Sequence, residues 1–172
     1  MELVPVAAAE FDAVFDEMEA NFIPDERRSR AAARRLLSEP RYALLHVVEE
    51  GRRVGFVGVW SLDGFTFLEH FVVYEAYRNR GVGARVLALL QSRGDRLLLE
   101  AEPPAGGITA RRVAFYERCG FVRSDYPYLQ PAYRADGAPV PLVLMFWPDC
   151  PPDPRPQIRA VYETVYGKRI EN

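Results

Sequence analysis

Residues 65–93, FTFLEHFVVYEAYRNRGVGARVLALLQSR, restrict what this chain can fold into more than any other stretch. Residues 65–73 are rich in β-branched and aromatic side chains, as a buried strand requires. Val82, Val86, Leu89 and Leu90 then recur at i, i+4, i+7 and i+8, one stripe of a helix. Between strand and helix lies Arg78-Asn79-Arg80-Gly81-Val82-Gly83-Ala84. A glycine-containing turn that opens a helix is an anion site. The first-turn amides have no intrahelical partner, and the helix dipole favours negative charge there. Glycine lets a phosphate approach the backbone with no Cβ in the way. Arg78 and Arg80 add attraction for an anion.

A chain of 172 residues, 49% hydrophobic, is long enough for one domain with a substantial core. Its formal net charge of -2 argues against a dedicated nucleic-acid binder. No apolar run is long enough to span a bilayer and no basic-then-apolar leader opens the chain, so the expectation is a cytoplasmic protein away from membranes. Cys119 and Cys150 stand in unlike contexts and read as reduced thiols. His46 and His70 are the two histidines, and no Cys/His cluster has metal-binding spacing, so no metal is expected.

In chain order, residues 3–6 read as a short strand and residues 8–18 as a helix with Phe11, Val14, Phe15 and Met18 on one face. Residues 26–37 read as a second helix, carrying Arg27, Arg28, Arg30, Arg34 and Arg35 as a solvated face. Residues 42–48 and 54–62 are two strands joined by a hairpin at Glu50-Gly51, and Asp63-Gly64 turns the chain into the strand at 65–73. Residues 97–102 form the next strand, which makes a strand-helix-strand crossover with the glycine-loop unit. Thr109 is the expected N-cap of a helix over 110–118 that ends at Gly120. Residues 121–124 and 140–147 are strands. A proline-rich connector from 148 leads to an amphipathic helix over 157–166, with Ile158, Val161, Tyr162 and Val165 on one stripe. That stripe needs a surface: either its own domain or a second copy in a homodimer. The expected organisation is a domain over 1–147 followed by a connector and tail helix over 148–172.

Gly-x-Gly alone is a weak signal. The third glycine of a dinucleotide fingerprint and the Gly-Lys-Ser/Thr of a P-loop are both missing, and antiparallel strands precede the loop. Residues 73–84, VYEAYRNRGVGA, resemble the pyrophosphate-binding loop of the GNAT superfamily of acyl-CoA-dependent N-acyltransferases. Arg78, Gly81 and Gly83 meet the family's Gln/Arg-x-x-Gly-x-Gly/Ala pattern. Residues 113–121, VAFYERCGF, resemble the family's helix ending in Tyr-x-x-x-Gly-Phe. The element order is similar from Leu3 to about Trp147.

The resemblance implies a mixed α/β (α+β) fold. It has a central, largely antiparallel sheet with one splayed parallel strand pair and helices on both faces. It implies acetyl-CoA as co-substrate, its pyrophosphate held by the amides of Arg80, Gly81, Val82, Gly83 and Ala84, with Arg78 and Asn79 beside them. The backbone of Phe71, Val72 and Val73 would pair with the pantetheine arm like an added strand. Thr109, Arg112 and Phe115 would complete the donor contacts. Relatives often carry Asn where Thr109 stands and a small residue where Arg112 stands, and Phe115 reads as core.

The implied reaction is direct attack of a primary amine on the thioester in a ternary complex. Freeing the lone pair of an amine with pKa ~10 costs about 4 kcal/mol at neutral pH, so a base is useful. Glu69 stands where relatives place a general base, and Tyr116 where they place a general acid. His70 has a suitable pKa, but strand neighbours point to opposite faces, so one of the pair is expected to see the cleft: Glu69, or His70 in its place if a bulge inverts the register. Glu100 and Glu102 share a strand face and would make the acceptor side acidic, while Tyr128 and Tyr133 would wall it. The alternative is a non-catalytic acyl-CoA-binding module that has no use for Glu69 or Tyr116.

Overall fold

In the computed structural model, residues 1–169 are described; Ile170, Glu171 and Asn172, at the end of the expected tail segment, lie outside them. Eight strands form one connected sheet. They are β1 (Glu2–Pro5), β2 (Tyr42–Glu49), β3 (Arg52–Leu62), β4 (Phe65–Val73), β5 (Arg96–Ala101), β6 (Val122–Arg123), β7 (Tyr128–Gln130) and β8 (Val140–Trp147). The order is β1-β2-β3-β4-β5-β8-β6, with β7 on β8. Every pairing is antiparallel except β4 with β5.

The helices are α1 (Phe11–Asn21), α2 (Arg30–Arg35), α3 (Val82–Gln91), α4 (Gly107–Arg118) and α5 (Arg155–Thr164). Apolar stripes of α3 and α4 bury Val82, Val86, Leu87, Leu90 and Val113 on one sheet face, against Val57, Leu68, Leu99 and Met145. On the other face α1 packs on Phe56 and Val72, and α5 packs on Trp60, Phe67, Leu98 and Leu144. Helices thus cover both faces of a mixed sheet.

Several elements differ from expectation. Leu87 takes the fully buried place expected of Leu89. The arginine-rich helix is short, because Ser29 accepts a hydrogen bond from Ala32 N and starts it at Arg30, leaving Arg27 and Arg28 outside. Arg30 and Arg34 bond carboxylates of α1, so that face is spent inside the molecule. α4 starts one turn earlier than expected, with Gly106 as N-cap. Thr109 instead donates to the Gly106 carbonyl and accepts from Ala105 N.

α5 docks on its own chain. Ile158, Val161 and Val165 are buried against the sheet, each stabilised by roughly 1.5–3 kcal/mol of apolar burial. Cys119 and Cys150 are free. Among the described residues, no helix is long and apolar enough to cross a membrane.

Candidate active site

The site begins where β4 and β5 part. Their parallel pairing runs from Phe65 with Arg96 to Leu68 with Leu99 and stops. Glu69 and Glu100 are the first unpaired residues on either side of the fork. Across β4, Gly58 pairs with His70 and Val59 with Leu68, which leaves Glu69 as the extra residue of a bulge. The bulge breaks the alternation expected of neighbours. Glu69 and His70 both line the cleft, and both approach Tyr133: the Tyr133 hydroxyl donates to Glu69 at 2.9 Å, and the His70 ring stacks on Tyr133 at 6.1 Å.

Below the fork the cleft opens to about 990 Å³ and runs to the start of α3. Gly81, the N-cap of α3, has φ 71, a left-handed conformation that favours glycine. The first hydrogen bond of this turn runs from Arg85 N to the Gly81 carbonyl, so the amides of Val82, Gly83 and Ala84 have no helical acceptor. A Cβ on Gly83 would sit 3.1 Å from the Phe115 ring. The Gly83 position is therefore bare backbone against an aromatic wall. Arg85 bonds the Arg80 carbonyl and both oxygens of Glu49, which holds the loop to the end of β2.

Not every expected donor contact faces the cleft. Phe71, Val72, Val73, Asn79, Arg112 and Phe115 line it, together with Gly81 to Ala84. Arg80 instead stacks its guanidinium over Tyr77, and Thr109 is spent on its own loop. Arg78 lines the cleft but bonds the Val73 carbonyl at 3.0 Å and Asn21 at 2.7 Å, tying the end of β4 to α1. Arg112 pairs with Glu102.

Tyr116 faces the cleft from α4. Among the described residues its hydroxyl has no hydrogen-bond partner, although it is not shut off from the cleft. Burial pushes the phenol up to about 12, with Arg112 pulling weakly the other way. At neutral pH it therefore holds its proton.

The two carboxylates at the fork sit in opposite environments. Burial alone would raise the pKa of Glu69. The Arg28 guanidinium more than offsets this, with hydrogen bonds from Arg28 and from Trp60 Nε1 at 2.9 Å, so Glu69 ends below its usual value. It is a fixed anion in a buried pair, with side chains 10% and 1% exposed for Arg28 and Glu69. Glu100 is held by Tyr128, by Gln130 Nε2 at 2.8 Å and by Tyr166 at 2.7 Å. Burial raises Glu100 to about 7, and the nearby Glu69 charge adds to that, while the three donors pull it down. Glu100 thus combines a carboxyl raised to near neutrality with a place in the cleft.

Burial lowers the pKa of His70, so it is neutral at pH 7 and its 3.9 Å approach to Glu69 is not an ion pair. Its Nε2 lies 3.1 Å from the Glu26 carbonyl, an acceptor, which assigns the proton to Nε2. Tyr128 and Tyr133 do not line the cleft; they act behind the carboxylates as hydrogen-bond donors.

The residues that sequence reasoning missed are Arg28, Trp60 and Tyr166. Arg28 was hidden among four similar arginines. Trp60 lies on the neighbouring strand, and Tyr166 is 66 residues from the glutamate it bonds. No local pattern connects them.

Residues 40–123, which hold both carboxylates, the glycine loop and Tyr116, match the model of the acetyltransferase (GNAT) domain. Over those residues the chain is similar to the GNAT acetyltransferases. A "Putative acetyltransferase from GNAT family" of Bacteroides thetaiotaomicron superposes over 98% of this chain and 100% of its own, with TM-score 0.91 and 26% identity. The Bacillus subtilis (strain 168) protein named "Putative acetyltransferase YjbC" is 27% identical over 106 residues, 60% of this chain. The match covers 54% of that protein, so the chain spans about half the length of this curated relative. The yncA structure from Salmonella typhimurium, described with its cofactor acetyl-CoA, covers 89% of this chain and 98% of its own at TM-score 0.57 and 17% identity, a likeness of fold.

Proposed function

We propose that this chain is a GNAT-type enzyme that transfers an acetyl group from acetyl-CoA to a primary amine by direct attack in a ternary complex. The observation that carries the reading is a single cleft bounded by a near-neutral carboxylate, a protonated phenol and the open amides of a helix. The donor end fits acetyl-CoA. The amides of Val82, Gly83 and Ala84 would hold its pyrophosphate, and the cleft-lining edge of β4 at Phe71 to Val73, past the end of the β4–β5 pairing, would take the pantetheine arm. When bound, acetyl-CoA supplies an activated thioester carbonyl.

The chain's own residues do the rest. Glu100 accepts the proton that the ammonium must lose, directly or through a water. A carboxylate near 7 can take it and release it again at neutral pH. Tyr116 holds a proton at its hydroxyl for the departing thiolate, an ordinary thiol with pKa ~8.5. Glu69, paired with Arg28, stays ionised without itself titrating near neutrality. Glu26 also lines the cleft, as does Glu102, paired with Arg112.

A screen of primary amines with acetyl-CoA, read as free thiol release, tests the function. Turnover with at least one amine is expected. Acetyl-CoA binding without turnover on any amine would instead favour a regulatory module. Tyr116→Phe is expected to lower kcat about tenfold or more with acetyl-CoA affinity unchanged, since the lost proton donor acts in the chemical step. Gly83→Val is expected to weaken acetyl-CoA binding by about tenfold or more in calorimetry, because its side chain meets Phe115 and covers an open amide.

A further inference from the structure

Residues 148–169 lie beyond the matched residues 40–123, yet they reach the centre of the cleft. Val165 caps α5, and Tyr166 follows it. The Tyr166 hydroxyl donates to Glu100 Oε2 at 2.7 Å. It also lies 3.4 Å from the Tyr133 hydroxyl, which donates to Glu69 at 2.9 Å. Arg28 bonds Glu69 with one nitrogen and the Val165 carbonyl with the other. A continuous path therefore joins Arg28, Glu69, Tyr133, Tyr166 and Glu100.

We propose that the C-terminal segment belongs to the catalytic apparatus, with Tyr166 as a positioning residue that holds Glu100 in the cleft and ties it through Tyr133 to Glu69. This rests on the role given to Glu100 above.

Proton counting supports the arrangement. Each phenol has one proton. Tyr133 faces a permanent anion and donates to Glu69. Tyr166 is then free to donate to Glu100 when that carboxylate is charged. Once Glu100 has taken a proton, its O–H can donate to Tyr166, and the Tyr166 hydroxyl can turn toward Tyr133. The ring thus stabilises both forms of Glu100 but favours the charged one, since a bond to an anion is the stronger. The other groups facing Glu100 are Tyr128 and Gln130 from β7, with the Glu69 charge nearby; Tyr133 and Tyr162 are protonated phenols that its charge holds further from ionising.

Tyr166→Phe keeps the ring and the burial of Ile158, Val161 and Val165 that docks the helix. Removing a donor to the charged form is expected to move the acidic limb of kcat/KM upward by about one pH unit. The carboxylate 13C titration of Glu100 in the free protein, assigned with Glu100→Gln, is expected to move by the same amount. Tyr162→Phe is the control. It loses a bond to the Leu129 carbonyl one turn earlier and makes none to Glu100, so both readouts should stay in place. An unmoved Glu100 titration in Tyr166→Phe overturns the proposal whatever the activity. A moved titration with no turnover on any amine in the wild type upholds the tie between Tyr166 and Glu100 and counts against the acetyltransferase reading instead. A moved titration with an unmoved kinetic limb overturns the catalytic part.

Discussion

Glu100→Gln is expected to lower kcat by roughly 10²- to 10³-fold, within the range for loss of a general base, while acetyl-CoA affinity stays the same. The substitution keeps the shape and an acceptor for Tyr128, Tyr166 or Gln130 but removes the proton acceptor. Wild-type kcat/KM should fall below about pH 7, where Glu100 becomes protonated, and the residual activity of the variant should lose that limb.

The same variant has a stability signature of definite sign. A carboxyl whose folded pKa is raised from 4.5 to about 7 contributes stability that is fully present below 4.5 and lost as pH rises to about 7. Gln does not titrate. The stability of Glu100→Gln relative to wild type should therefore increase between pH 4.5 and pH 7, by up to about 3 kcal/mol at 1.36 kcal/mol per pKa unit. Chemical denaturation at several pH values measures this. A difference independent of pH would show that Glu100 is not held near neutrality.

Arg28→Met is expected to destabilise the fold by about 3 kcal/mol or more, because it leaves the Glu69 carboxylate buried with no cation. For a chain of this size that is roughly 6–12 °C in Tm. Methionine retains much of the apolar stem, so the loss is chiefly electrostatic. Glu69→Gln added to Arg28→Met should recover most of it, since the uncompensated charge is then gone. The pH dependence again has a sign. Glu69 has a lowered folded pKa, so its contribution is present above 4.5 and lost as pH falls through the folded value. Without Arg28 the buried charge becomes a cost that protonation relieves, so Arg28→Met should be least damaging in acid. Equal damage at pH 4 and pH 8 would mean that packing, not charge, is what Arg28 provides.

The arrangement of charges bears on how the cleft works. A fixed anion and a titrating carboxyl sit side by side at the fork of β4 and β5, and the difference between them is a cation. Arg28 comes from the segment before α2 and reaches Glu69. Among the described residues no comparable cation bonds Glu100, whose bonds come from two phenols and an amide. Two glutamates of the same strand-end character thus acquire different roles. Under the proposed mechanism one stays ionised beside its arginine, and the other takes up and releases the proton.

Much of the fold was legible in residues 65–93 and in the periodicity around them. The strand, the glycine turn and the helix are local. Their signals are side-chain alternation, a left-handed position that favours glycine and a 3.6-residue stripe, each readable within a dozen residues. Gly81 and Gly83 at the start of α3 and Tyr116 on α4 carried the family resemblance for that reason. The same locality explains the errors of detail: Ser29 competing as a cap shortened α2, and Gly106 took the cap expected of Thr109.

The protonation states at the fork were not legible locally. Composition offers Glu69, His70, Glu100 and Glu102 near one cleft and ranks them only by type and spacing. Their protonation depends on how deeply each is buried and on which partner arrives from distant parts of the chain. Arg28 is 41 residues from Glu69, and Tyr166 is 66 from Glu100. The bulge that turns Glu69 and His70 to the same side arises from pairing with β3 across Gly58 and Val59, not from β4 itself. Burial and long-range pairing are properties of the packed molecule. The chain alone thus specifies an anion cradle of glycines and open amides, whereas packing decides which carboxylate stays charged and which one titrates.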